Sequence, residues 1–347
     1  MHRYRMERVM IFIEPKSFDP AFHFATEEFC MNHFRGEIIW MLWRTKKCIM
    51  LGSNQIPGLE IRMDVAKKHD VTIVRRASGG GTIFTDPGTI QYSVITPYEK
   101  GMDAKKTKEE VLAATMLRVI NEKLNLPAKL EGRNDITIDG RKISGLAQHI
   151  QNNQLCGHGS LLYDTDLEIL AEVLNPDEDK ITSKAIRSVR SRVTSLKSYL
   201  NPAPSTEEFF EFLKKEWIGM NNMQEYTLTE SDVETIHKIR LEKYANDDWT
   251  YGKTPKFTYH NRAKYEAGIV EVFLEIEKGI IKECSIKGDF LGLLPIIKLE
   301  ERVIGLDYRQ EVLEKVLRKV ELVSYLGGLT LEDFMSLLFQ RQNQEMI

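Results

Sequence analysis

The sequence predicts an α+β protein in which a large mixed-sheet domain precedes a small α+β module. Three observations carry this. Apolar runs of strand length, such as "IIWMLWR", "KCIMLGS" and "TIQYSVITP", are interleaved with helical patterns. One stretch, "KKTKEEVLAATMLRVINEKLN", is amphipathic at helical period, with acids early and apolar residues at 111, 112, 116, 117, 119, 120 and 124. Around Trp249 the texture changes, where "DDWTYGKTPKF" clusters turn formers and divides the 347 residues into 1–250 and 251–347.

In chain order, "FDPAFHFATEEFCMNHF" carries apolar residues at helical spacing after an Asp-Pro start and is the first helix. "IIWMLWR" and "KCIMLGS" read as paired strands, residues 60–70 as helical and 71–76 as the next strand. Residues 89–97 alternate like a strand closing a hairpin with 82–85. "NDITIDGRKISGLAQHI" and "GHGSLLYD" read as three strands, and 168–242 as mostly helical. Beyond Trp249, "AGIVEVFLEIEKGIIKECSIKGDF" is a hairpin turned at Glu277-Lys278-Gly279, followed by helices near 308–321 and 330–341.

Charged residues at 29% and hydrophobic residues at 42% are ordinary for a globular protein. The net charge of -3 leaves no basic footprint for nucleic acid. No apolar run reaches membrane-spanning length, and "MHRYRMERVMIFIEP" lacks a signal-like core. Cys30, Cys48, Cys156 and Cys284 are scattered without metal-ligand spacing. A cytoplasmic, reduced monomer with neither nucleic-acid nor membrane partner is expected.

Three motifs carry chemistry. In "VRRASGGGTIFTDPG", Gly79-Gly80-Gly81 interrupt apolar sequence directly after Arg75-Arg76-Ala77-Ser78. A flexible loop would explain one glycine. Three together, beside a guanidinium and a hydroxyl, suit close approach of main chain to a carboxylate or phosphate. The run is neither a P-loop nor the dinucleotide fingerprint. In "GRNDITIDGRKISG", Asp139-Gly140 is a preferred two-residue hairpin turn. Pairing from that turn puts Asp135, Thr137, Lys142 and Ser144 on one face and Ile136, Ile138 and Ile143 on the other. The polar face is either solvated or lines a cleft, where Lys142 would meet a charged ligand and Asp135 could help hold a metal. In "CGHGS", Cys156 and His158 share a strand face, so a buried, inert Cys156 is expected rather than a nucleophile with its base.

Together, "RRASGGGTIFTD", "GRNDITIDGRKISGLAQ", "GHGSLLYDTDL" and "SVRSRVTSL" resemble the lipoate-protein ligases in order and spacing, and "DDWTYGKTPKF" resembles that family's junction to a small C-terminal domain. The resemblance implies a mixed-sheet, biotin/lipoate ligase-like catalytic domain with an accessory domain. It implies a two-step reaction, in which lipoate and ATP with Mg2+ give lipoyl-AMP and the acyl group passes to a lysine. The implied acceptors are lipoyl domains of oxoacid dehydrogenase acyltransferase subunits and the glycine cleavage H protein. Carried over residue by residue, Arg76, Ser78, Gly79 and Gly80 bind the acyl-adenylate, and Gly81, Thr82, Ile83 and Phe84 line the nucleotide. Lys142 is the catalytic lysine, Asn134 and Asp135 lie near the phosphates and Mg2+, and His158 is a pocket histidine. The sequence departs from the family's pattern at His23, Ser53, Ile56, Thr89 and His149, which flank the pocket and leave acyl-chain preference open. The rival activity is an ATP-independent octanoyl or lipoyl transferase working through a cysteine thioester, with Cys156 as its candidate.

Overall fold

The computed structural model describes residues 8–99, 101–174, 192–252 and 257–339. Its first strands are β1 (Met10–Ile13), β2 (Ile38–Trp43), β3 (Cys48–Leu51), β4 (Thr72–Arg75), β5 (Ile83–Thr85) and β6 (Thr89–Pro97). After them come β7 (Lys129–Glu131), β8 (Asp135–Ile138), β9 (Arg141–Gln151), β10 (Gln154–Leu162) and β11 (Gln224–Tyr226). Eight of these form a mixed sheet in the order β11-β1-β2-β6-β10-β9-β8-β7, and β4-β3-β5 form a separate sheet.

Strand alternation sets the layers. Trp40, Leu42, Ile90, Tyr92 and Val94 point to one face, where helix α2 (residues 104–123) and helix α3 (Thr206–Asn221) cover them through Leu112, Met116 and Trp217. Ile39, Met41, Trp43 and Ile95 point to the other face, toward helix α1 (Pro20–His33) and the small sheet. Helix α1 begins where expected because Asp19 accepts from the Ala21 amide and Pro20 occupies the first turn. Burying each Leu or Ile of these layers contributes roughly 1.5–3 kcal/mol. The candidate site lies within the second face.

Three pairings differ from the sequence reading. Strands β2 and β3 belong to different sheets, and a buried Thr45–Thr85 hydroxyl contact of 2.6 Å holds the intervening turn against β5. Strands β5 and β6 form no hairpin. The Asp86 carboxylate accepts from Gly88 N, Thr89 Oγ1 and Asp166 N, which turns the chain out of the small sheet and into the large one. The Asp139-Gly140 turn is two-residue, with both φ positive at 51° and 71°, but a bulge beyond it pairs Asp135 with Gly145 and Ile136 with Ser144. Ser144 is therefore turned to the core, its hydroxyl 2.7 Å from Tyr92 Oη, while Lys142 and Gly145 share the cleft face.

The C-terminal part holds its own sheet, β12 (Tyr259–Tyr265), β13 (Gly268–Glu277) and β14 (Ile280–Gly288), with the β13–β14 turn at Lys278-Gly279. Helices Ile297–Val303, Gln310–Leu317, Leu322–Leu326 and Leu331–Phe339 pack on it, two more than expected. Main-chain bonds dock it on the first part: Gly288 N to Asn54 O (2.9 Å), Gly80 N to Phe290 O (3.1 Å) and Ile150 N to Leu293 O (2.8 Å). Within "DDWTYGKTPKF", Asp247–Tyr251 is a helix, and residues 253–256 lie outside the described residues, as do 188–191 of "SVRSRVTSL".

The crossing between sheets generates a stability prediction. A Cβ on Gly88 would stand 2.1 Å from Asp164 O, whereas one on Gly36 would meet nothing within 4 Å. Gly88→Ala should cost about 1–3 kcal/mol in chemical denaturation and Gly36→Ala close to none. Equal stabilities would contradict the close approach.

Candidate active site

One cleft gathers residues from both sheets, helix α1 and the C-terminal part. Its floor is a cross-strand row of the large sheet. Gly145 pairs with Ser160, Ser160 with Gln91 and Gln91 with Trp43. Phe24, Met50 and Ile83 line it from helix α1 and the small sheet, Gly80, Gly81 and Thr82 form its rim, and Leu291 reaches in from the C-terminal part.

At one end stands Lys142. Its Nζ is 2.9 Å from Asp135 Oδ1 and 2.8 Å from where a Cβ on Gly145 would lie, so only glycine leaves the ammonium its place. Asn134 lies beside it, donating from Nδ2 to Leu146 O at 2.8 Å. Val193 bridges to Lys142 from outside, with Thr194 N donating to Lys142 O at 2.9 Å. An ammonium fixed by a hairpin and a carboxylate suits stabilising negative charge that develops nearby. The same Asp135 carboxylate fits a divalent cation, because Mg2+ is usually held by one or two carboxylates together with substrate phosphates.

Beneath the glycine run lies a buried polar chain. Glu27, 3% exposed, accepts from Ser93 Oγ at 2.5 Å and from His158 Nδ1 at 3.2 Å. Because an ionised carboxylate can only accept, His158 Nδ1 carries a proton. His158 Nε2 lies 2.6 Å from Ser78 Oγ, which also accepts from Arg76 Nε at 3.1 Å. Burial pushes the Glu27 carboxyl up, but the charge of His158 and the hydrogen bonds from His158 and Ser93 outweigh it and hold it below its ordinary range.

The motif residues divide on this geometry. Arg76, Gly80, Gly81, Thr82, Ile83, Asn134, Lys142 and His158 line the cleft, and Asp135 stands against Lys142. Arg76 is engaged with its own loop, donating to Met50 O, Gly79 O and Gly81 O as well as Ser78; burial, then neighbouring Arg75, lowers its pKa to about 10. Ser78 and Gly79 lie under the loop rather than on the cleft wall, and a Cβ on Gly79 would meet Phe290 O at 2.6 Å. Phe84 is a correction. Ile83 takes the cleft face, so alternation sends Phe84 into the opposite core with Ile49, Leu51 and Ile61.

The sequence reading missed Glu27, Gln91, Trp43 and Leu291. Glu27 left one signal: it falls four residues after His23 and three before Cys30, an acid within the stripe that helix α1 buries. Among the described residues Glu27, Cys156 and His158 place ligand atoms within 4.8 Å of one another, as a metal site would. The Glu27–His158 pair already engages two of these groups. Burial and the Glu27 charge push the Cys156 thiol well up, so the thiolate a metal needs is disfavoured.

Two buried histidines flank this chain. His23 bonds through Nε2 to Ser17 O and Arg44 O and stacks 4.5 Å from Trp43; His149 is the cross-strand partner of Cys156, with no partner for Nδ1. Burial lowers each to about 4 from 6.5. A base whose folded pKa lies below its unfolded value stabilises fully above 6.5 and loses that contribution as pH falls toward 4. Glu27, held below 4.5, adds its loss only at lower pH. Unfolding free energy should be flat between about pH 7 and 8 and fall by about 1.4 kcal/mol per pH unit per histidine beneath that window. His149→Gln should roughly halve the slope between pH 6.5 and 5, and an unchanged slope would contradict its buried neutral state.

Comparison with known families matches residues 19–218 to the lipoyl protein ligase A/B catalytic domain and residues 254–338 to the bacterial lipoate protein ligase C-terminus. The chain is 37% identical over 337 residues to the lipoate-protein ligase LplJ of Bacillus subtilis, covering 95% of this chain and 100% of that protein. The crystal structure of P. falciparum LipL1 in complex with lipoate superposes with a TM-score of 0.74 at 23% identity, covering 90% of this chain and 95% of that one. A lipoate-protein ligase A bound with ATP gives 0.59 at 23% identity, covering 71% and 99%.

Proposed function

The chain belongs to the lipoate-protein ligase family and is an enzyme of that class, and from that premise we propose an ATP-dependent reaction in two steps at the cleft. The lipoate carboxylate attacks the α-phosphorus of ATP, forming lipoyl-AMP and releasing pyrophosphate. The amine of an acceptor lysine then attacks the acyl carbonyl, and AMP leaves. The acceptors are lipoyl domains, those of oxoacid dehydrogenase acyltransferase subunits and the glycine cleavage H protein in this reading. ATP and lipoate are named in the bound states of two structural relatives, which supports the pairing of substrates.

The observation that carries the reading is Lys142, an ammonium fixed over Gly145 and facing the glycine rim within one cleft. Adenylation adds negative charge at phosphorus, transfer creates an oxyanion at carbon, and a preorganised cation at their shared position stabilises both. Asp135, beside Lys142, would hold a magnesium ion whose chemistry is to neutralise the departing pyrophosphate. Arg76 and the Glu27–His158–Ser78 chain shape the loop from beneath and so act as positioning residues. The Gly80 amide is engaged with Phe290 O, so donation from it to a phosphate requires residues 288–293 to withdraw. We therefore take the chain's division near residue 250 as a boundary between bodies that part during the cycle.

The transferase alternative needs an accessible thiolate. Cys156 is fully buried, lies off the cleft wall and has its thiol pushed well up. Lipoate-dependent ATP–pyrophosphate exchange separates the two activities. Lys142→Ala should reduce exchange and transfer by at least about 100-fold, with thermal stability close to wild type because the side chain is 30% exposed at a rim. A Lys142→Ala enzyme that still charges lipoate would overturn the assignment.

A further inference from the structure

Gln91 has an amide that nothing in the described structure explains. It sits in the middle of the cleft floor, 3% exposed, and its Nε2 is buried without a hydrogen-bond partner. A buried amide left unpaired costs stability, and an apolar side chain of the same size would avoid that cost. Trp43, Phe24, Met50 and Ile83 line this end of the cleft, and Ser160, beside Gln91 on the next strand, makes no hydrogen bond with its Nε2. Trp43 Nε1 is already donated to Ser93 Oγ at 3.1 Å.

The row of paired residues sets the distance from Lys142. Gly145, beneath the Lys142 ammonium, is followed by Ser160 and then Gln91, each on the next strand and the same face. Strands lie about 4.8 Å apart, so Gln91 stands about 10 Å from Gly145 and Trp43 about 14 Å from it. With an acyl carbonyl held at Lys142, an extended zigzag of bonds about 1.5 Å long advances about 1.3 Å per bond, so its sixth to eighth atoms stand about 6–9 Å along and within reach of the Gln91 side chain. In lipoate those atoms include the two sulfurs of the dithiolane ring; in octanoate they are methylenes and a methyl.

We propose that Gln91 is the residue that selects the acyl tail, donating its amide N–H to a sulfur of a cyclic disulfide and being left unpaired by a plain straight-chain acid. The inference rests on the ligase reading and deepens it by naming the substrate feature recognised. The amide is already unpaired in the ligand-free enzyme, so the selectivity is the N–H···S hydrogen bond that lipoate gains and octanoate does not, a modest one because sulfur is a weak acceptor. Trp43 closes the row beyond Gln91 and limits the length of chain admitted.

The test is acid-dependent ATP–pyrophosphate exchange with lipoate and with octanoate, in wild type, Gln91→Met and Gln91→Leu. The wild-type enzyme should favour lipoate in kcat/KM. Both substitutions should lower the lipoate-to-octanoate ratio about tenfold, by weakening lipoate and improving octanoate, with the KM for ATP unchanged. Gln91→Met, which keeps the volume, should also raise the thermal midpoint of the ligand-free enzyme, a readout independent of turnover. A ratio unchanged in both variants, or equal losses on both acids, would overturn the inference while leaving the ligase reading standing. Absence of exchange with either acid in the wild-type enzyme would overturn the ligase reading and the inference with it.

Discussion

A carboxylate buried inside an apolar layer is the constraint on which the active cleft depends. Glu27 lies on the inner face of helix α1 with Phe24, Cys30 and Met31 around it. Without partners it would cost several kcal/mol, so Ser93 of β6 and His158 of β10 must be where they are. These two residues are direct cross-strand partners, which means one carboxylate clamps two adjacent strands of the floor to the helix above them. From His158 the polar chain continues through Ser78 to Arg76, and Arg76 gathers the carbonyls of Met50, Gly79 and Gly81. A loop of three glycines has little conformational order of its own. Its shape is imposed by donors and acceptors anchored in the core.

The glycines then serve two demands. Gly80 and Gly81 leave main chain bare at the rim of the cleft, and Gly79 and Gly80 admit Phe290 and Leu291 of the C-terminal part at distances no Cβ would allow. The same main chain thus faces the cleft on one side and the C-terminal part on the other. Arg75 ties this segment to the far end of the first part. It donates to Trp249 O and Thr250 O just before the junction and to Gly52 O and Gln55 O beneath the loop. Loop, junction and docking surface are one connected structure, so a change at the loop is felt where the two parts meet.

Local patterns were legible in the sequence, and long-range partners were not. Period and capping located helices α1 and α2, and Asp139-Gly140 located the hairpin that carries Lys142. The motifs and the resemblance named fewer than half of the residues that line the cleft: Arg76, Gly80, Gly81, Thr82, Ile83, Asn134, Lys142 and His158. Strand partners failed because the apolar runs at 38–43, 48–51 and 83–85 are equally ready to pair with several others, and buried hydroxyls of Thr45, Thr85 and Thr89 decide between them. A bulge moved Ser144 to the core, since one extra residue inverts the facing of every residue beyond it on the strand. Glu27 and Gln91 were missed for a common reason: Glu27 stands between Thr26 and Glu28 and Gln91 alternates with Thr89 and Ser93, so each reads as an ordinary polar position, and its meaning comes from groups far away in the chain.

Hydrogen exchange in a Glu27→Gln enzyme tests the dependence of the glycine loop on the buried charge most directly. The substitution keeps the side chain's size and removes the charge that orients His158. Amides of residues 76–82 should exchange at least tenfold faster than in the wild-type enzyme, while those of β6 and of helix α2 keep their rates. Unchanged exchange across 76–82, or acceleration spread evenly over the whole chain, would contradict the account.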